Sequence, residues 1–134
     1  MKFSDLVGKT IKAIKITQNK ECIEFACDDG FTYRLMYHQD CCAHCSIEDI
    51  CGDLEDLLGH PLLVAEKVTN RNETPSGGPE PEIYESYTWT FYKLDTIKGG
   101  VTIRWYGESN GYYSEEATLG KLTVDGWEDY WGED

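Results

Sequence analysis

Period-two alternation of apolar and polar side chains is the feature that most constrains this chain. Residues 31–38 set Phe31, Tyr33, Leu35 and Tyr37 on one side of an extended segment, and Thr32, Arg34 and Met36 on the other. Residues 21–27 alternate Ile23, Phe25 and Cys27 inward, and residues 84–94 put Tyr87, Trp89 and Phe91 on one face. Residues 10–17, 61–69, 101–106 and 112–124 read as further strands, with turn chemistry at Asp28-Asp29-Gly30 and Lys98-Gly99-Gly100. Residues 4–8 and 53–58 carry helical signals: Ser4 is a cap residue, and Asp53 opens the second with Gly59 to stop it.

The elements recur in order. Asp5-Leu6-Val7-Gly8 matches Asp56-Leu57-Leu58-Gly59, and each precedes a strand. Phe31-Thr32-Tyr33-Arg34-Leu35-Met36 matches Val101-Thr102-Ile103-Arg104-Trp105-Tyr106, with Thr-x-Arg shared inside the apolar alternation. The expectation is an α+β fold of mainly antiparallel sheet with two short helices, built by internal duplication of an αβββ unit. One domain of 134 residues is expected, with pseudo-repeats at about 4–52 and 53–124 and a polar loop over 70–82.

Twelve Lys+Arg against 25 Asp+Glu give a formal charge of −13. A basic footprint for direct nucleic-acid binding is therefore missing. The charge is uneven: residues 1–20 hold five Lys and one Asp, whereas residues 21–60 hold one Arg and ten acids. An acidic surface engages basic partners by complementarity, for instance the nucleic-acid channel of another protein, and Asp40, Glu48, Asp49 and Asp53 are the residues placed to do so. The plainer reading is solubility through self-repulsion. With no apolar run of the ~20 residues a membrane span needs and no signal-peptide core, a soluble, cytoplasmic protein is expected, with homo-oligomerisation left open.

Six cysteines without a signal peptide are expected to be reduced. Cys41, Cys42 and Cys45, with His38 and His44, have the donor types of a tetrahedral zinc site, although the second spaced pair usual in structural sites is missing. Pairing Cys41 or Cys42 with His38 or His44 as nucleophile and base is disfavoured by their closeness in one extended segment. Asp40, Glu48 and Asp49 as divalent-cation ligands are disfavoured because neighbours such as Glu48 and Asp49 on a regular strand point to opposite faces. No phosphate loop, nucleophile elbow or metalloprotease motif occurs, so the chain is expected not to be an enzyme.

The most distinctive stretch chemically is residues 104–114. Arg104, Trp105, Tyr106, Ser109, Asn110, Tyr112 and Tyr113 combine rigid aromatics with adaptable donors, the composition of a recognition surface. Arg104 could hold a phosphate while an aromatic ring stacks on a base, which makes a nucleotide-type ligand one reading. The other is a hairpin with Trp105 and Val101 in the core and Arg104 paired to a carboxylate.

The strings HQDCC, IEDI-GDL, TWTFYK and RWYGESNGYYS resemble a family of small proteins of unknown function encoded mainly by bacteriophages and prophages; the similarity covers about residues 31–116. The resemblance transfers no activity. It implies a host-takeover or counter-defence factor that acts by binding, with a host protein as partner and a nucleotide-type molecule as the alternative cargo; a small zinc-binding structural domain, from the Cys/His cluster alone, is the third reading.

Overall fold

The computed structural model describes residues 1–38, 43–71, 86–109 and 115–130. Among these residues nine strands pair antiparallel: β1 (Ile11–Ile16), β2 (Cys22–Cys27), β3 (Thr32–Met36), β4 (Ala43–Cys51), β5 (Val64–Arg71), β6 (Ser86–Thr96), β7 (Gly99–Ser109), β8 (Thr118–Thr123) and β9 (Gly126–Tyr130). They form a five-stranded sheet in the order β1-β2-β3-β8-β9 and a four-stranded sheet in the order β4-β7-β6-β5.

The fold is therefore mainly antiparallel β, not α+β. Both expected helices are single 3-10 turns of four residues, Phe3–Leu6 and Leu54–Leu57. Gly8 (φ 90°) and Gly59 (φ 80°) turn the chain into the left-handed region just beyond them. A segment that stops this soon has nucleated a turn and gained no propagation. Asp53 does cap the second turn, accepting the Glu55 N–H at 3.0 Å. Ser4 lies inside the first turn, where Asp5 accepts the Lys2 N–H instead, at 2.8 Å.

Alternation sorts the strands by face. Tyr33, Leu35 and Tyr37 are buried, as are Ile23 and Phe25, while Arg34 and Met36 point outward. From the other sheet Cys45, Ile47, Tyr92, Leu94, Val101, Ile103 and Trp105 point inward, and the two inner faces share one core.

The αβββ unit is also corrected. After the β1-β2-β3 meander the chain crosses to the other sheet, where β4 pairs with β7; after β5-β6-β7 it crosses back, where β8 pairs with β3. Both crossings leave from one end, because Met36 lies opposite Thr118 in one sheet and Ala43 opposite Ser109 in the other. The halves meet where the Gly8 N–H donates to the Leu62 carbonyl (2.8 Å) and the Gly59 N–H to the Ile11 carbonyl (2.9 Å). Gly8 and Gly59, like Ile11 and Leu62, are 51 positions apart, so the two bonds are related by a local two-fold axis. Thr10 and Pro61, offset by the same 51, face each other at its centre.

The β2–β3 turn is held by Asp29, which accepts from the Phe31 N–H (2.9 Å), the Tyr33 hydroxyl (2.6 Å) and the Lys9 ammonium (3.1 Å). Burial alone would raise this carboxyl, but the three donors outweigh it and hold it below its ordinary value. A carboxyl with a depressed native pKa stabilises the fold above its unfolded value, near 3.9, and that contribution is lost as pH falls through the native value. Asp29→Asn is thus expected to weaken the acid dependence of stability below about pH 4, read from thermal melts between about pH 2 and 5. Parallel pH profiles for variant and parent would contradict this.

Candidate functional site

Along β7, Val101, Ile103, Trp105, Gly107 and Ser109 face the core, which leaves Thr102, Arg104, Tyr106 and Glu108 on the outer face of the four-stranded sheet. Arg104 lies opposite Asp49 on β4 and Phe91 on β6. Glu48 is an extra residue in β4: Ile47 pairs with Trp105 and Asp49 with Arg104, so two steps on one strand match one on the other. This bulge breaks the alternation and brings two consecutive acids to the same guanidinium. Arg104 Nε donates to Glu48 Oε2 at 2.5 Å, and its Nη2 lies 3.8 Å from Asp49 Oδ2. Its pKa is raised first by the Glu48 hydrogen bond and further by the charges of Glu48 and Asp49.

Beneath the guanidinium lies an aromatic floor. The Arg104 Cζ sits 5.3 Å from the Trp89 ring centroid, Trp89 is 4.7 Å from Tyr106, and Tyr106 is 6.4 Å from Tyr87. Trp89 is fully buried although it belongs to the outer face. Beyond the bulge the edge stays acidic and open. Glu48, Asp49, Cys51, Asp53 and Glu55 are exposed, and residues 43–60 contain no Lys or Arg. Arg104 is the basic residue set against this ridge.

A family model described as a domain of unknown function (DUF7448) matches residues 4–119. The chain belongs to that family. No curated protein and no solved structure matches it. The DUF7448 match takes in Arg104, Glu48, Asp49, Trp89 and Tyr106, so the whole outer-face cluster lies inside the family domain.

Within the DUF7448 fold the residues singled out in the sequence are dispersed. Trp105 is fully buried in the core rather than on the recognition face. Ser109 also points inward, donating to the buried Glu115 at 2.5 Å. Asp53 serves as the cap described above. His38 sits at the end of the five-stranded sheet, with Nε2 3.5 Å from Asp129 Oδ2. Asn110, Tyr112, Tyr113, Asp40, Cys41 and Cys42 lie outside the described residues. The expectation that Glu48 and Asp49 diverge is overturned by the bulge.

Of the proposed zinc ligands, His44 is exposed on the outer face, whereas its neighbour Cys45 is fully buried on the inner one. Regular alternation thus sends these two donors to opposite sides of β4. Among the described residues no group of three or more His, Cys, Asp or Glu is placed to hold a metal ion. Burial pushes the Cys45 thiol far above its ordinary value and Cys27 up to about 11. Alkylation at about pH 8, mapped by peptide mass, is expected to mark Cys51 in the native protein. Cys22, Cys27 and Cys45 should react only after unfolding. Native labelling of Cys45 would contradict its placement.

Two groupings escaped the sequence reading. Arg34, the residue matching Arg104 in Thr-x-Arg, lies on the outer face of the five-stranded sheet, 4.1 Å over Trp127 and 3.5 Å from Asp129. The repeat was a usable signal for it. Glu115 accepts from the Thr88 hydroxyl at 2.8 Å and from Ser109. Nothing local in the sequence marks that cluster.

Proposed function

We propose that this DUF7448 protein is a phage-encoded, non-enzymatic binding protein of the host cytoplasm. It serves host takeover or counter-defence by docking its acidic β4 edge on a basic host protein. The observation that carries the reading is the bulge at Glu48. It gathers acids at the head of an exposed ridge through Asp53 and Glu55 and sets them around a single arginine. Such a ridge steers a basic partner into register. Binding is favoured over catalysis because the charged groups at the bulge are paired with one another. Docking is favoured over nucleotide sequestration because Arg104 is already engaged by Glu48 and sits beside Asp49, leaving little of its charge for a phosphate. The phage assignment rests on the resemblance of the HQDCC and RWYGESNGYYS strings.

The test is affinity capture from host extract by the intact protein and by a Glu48→Gln/Asp49→Asn/Asp53→Asn/Glu55→Gln variant. The parent is expected to retain a basic protein at about 0.1 M salt and release it at about 1 M, where the screening length falls from ~10 to ~3 Å. The variant is expected to retain none. Capture that survives both high salt and neutralisation of the ridge would overturn the proposal.

A further inference from the structure

Neither half of this chain closes a sheet by itself. The first half supplies the first 3-10 turn and β1–β4, the second half the second turn and β5–β8, with β9 added at the outer edge of β8. Each builds a three-stranded meander, β1-β2-β3 or β5-β6-β7. The open edge of each meander is then filled from the other half. Tyr33–Met36 of β3 take Thr118–Lys121 of β8, and Thr102–Ser109 of β7 take β4. A half standing alone would present an unpaired third-strand edge and a fourth strand without its partner there, rows of unmet N–H and C=O groups, although β9 would still pair with the other edge of β8.

The exchanged strands also carry core. Cys45 and Ile47 on β4 pack into the core with Trp105, while Leu119 of β8 and Ala117 just before it join the same core as Tyr33 and Leu35. Withdrawing either strand strips the sheet it enters of apolar cover as well as hydrogen bonds. The reciprocal bonds of Gly8 with Leu62 and Gly59 with Ile11 place the halves about a two-fold axis, the geometry of an isologous dimer contact.

We infer that the fold is a strand-exchanged pair of half-chains, β1–β4 and β5–β8, joined covalently at Gly52–Asp53, with β9 an extra edge strand carried by the second. The β3 and β7 edges are interaction surfaces whose fitting occupant is the fourth strand of an equivalent half. That half is supplied here in cis and is equally available from a second copy of this chain.

The full-length protein tests this when a protease site is inserted between Gly52 and Asp53 and cut after folding. The two pieces are expected to elute together with the circular dichroism of the uncut chain and to reassemble after unfolding and dilution. Refolding a mixture of unlabelled and 15N-labelled cut protein should give mixed-isotope complexes by native mass spectrometry. Pieces that part in native buffer, or either piece remaining folded alone, would overturn the inference. If the insertion itself prevents folding, hydrogen exchange on the unmodified chain decides. The slowest amides of β1–β3 and β5–β7 should open together with one free energy, and two separate openings would count against exchange.

Discussion

Trp105→Ala is expected to lower the free energy of unfolding by about 3–5 kcal/mol, the range for removing a large aromatic from a core. Trp105 is fully buried on the inner face of β7, between Ile47 on β4 and Thr90 on β6. Truncation leaves a cavity where the exchanged strand meets its host sheet. Its indole N–H has no hydrogen-bond partner among the described residues, so Trp105→Phe removes volume without stranding a polar group and should cost far less. Urea unfolding followed by circular dichroism separates the two variants. A cost near zero for Trp105→Ala would return this residue to the exposed recognition role that its neighbours in sequence first implied.

Gly107→Ala is expected to cost about 1–3 kcal/mol, the usual penalty of overpacking, and to lie at the upper end of that range. The added methyl would meet the carbonyl oxygen, carbonyl carbon and Cα of Glu115. These are backbone atoms and cannot rotate aside. Their segment is pinned by the hydrogen bonds from Thr88 and Ser109 to the Glu115 side chain. Glu115→Ala should therefore not rescue Gly107→Ala, since the collision is with the main chain. Gly30→Ala is the contrasting case. Its φ of 86° strains any side chain, but the space around it is open, so the cost stays near the ~1 kcal/mol of a left-handed residue. Equal losses for both variants would mean that the crossing into β8 does not press on Gly107.

The strands of the two meanders and their faces were legible because side-chain direction along a strand depends only on the residue's own position, whereas β4 and β9 were not read as strands. Tyr33, Leu35 and Tyr37 lie inward, and Arg34 and Arg104 lie outward, as alternation requires. The pairing of Arg104 with a carboxylate was one of two readings open in the sequence, and the bulge supplied two acids for it. The bulge itself was not legible. Glu48-Asp49 looks like any pair of strand neighbours until the register against Trp105 and Arg104 shows one residue too many. The helices failed for a related reason. A cap at Asp53 and a stop at Gly59 describe where a turn begins and ends, and only packing decides whether a single turn is all that forms.

By itself the sequence determined the alternating strands of the two meanders, an acidic stretch over residues 21–60 and an arginine at the matching place of each third strand, while its α+β class with two helices did not hold. These are properties of local pattern and charge, which residues carry wherever the chain goes. The tertiary structure alone decided that each fourth strand joins the other half's sheet and that Glu48 and Asp49 share one guanidinium. The physical reason is that strand edges bond through backbone groups common to every residue, so a pattern that names a strand does not name its neighbour. The neighbour is chosen by which core side chains, here Trp105 against Ile47 and Leu35 against Leu119, fill the same space.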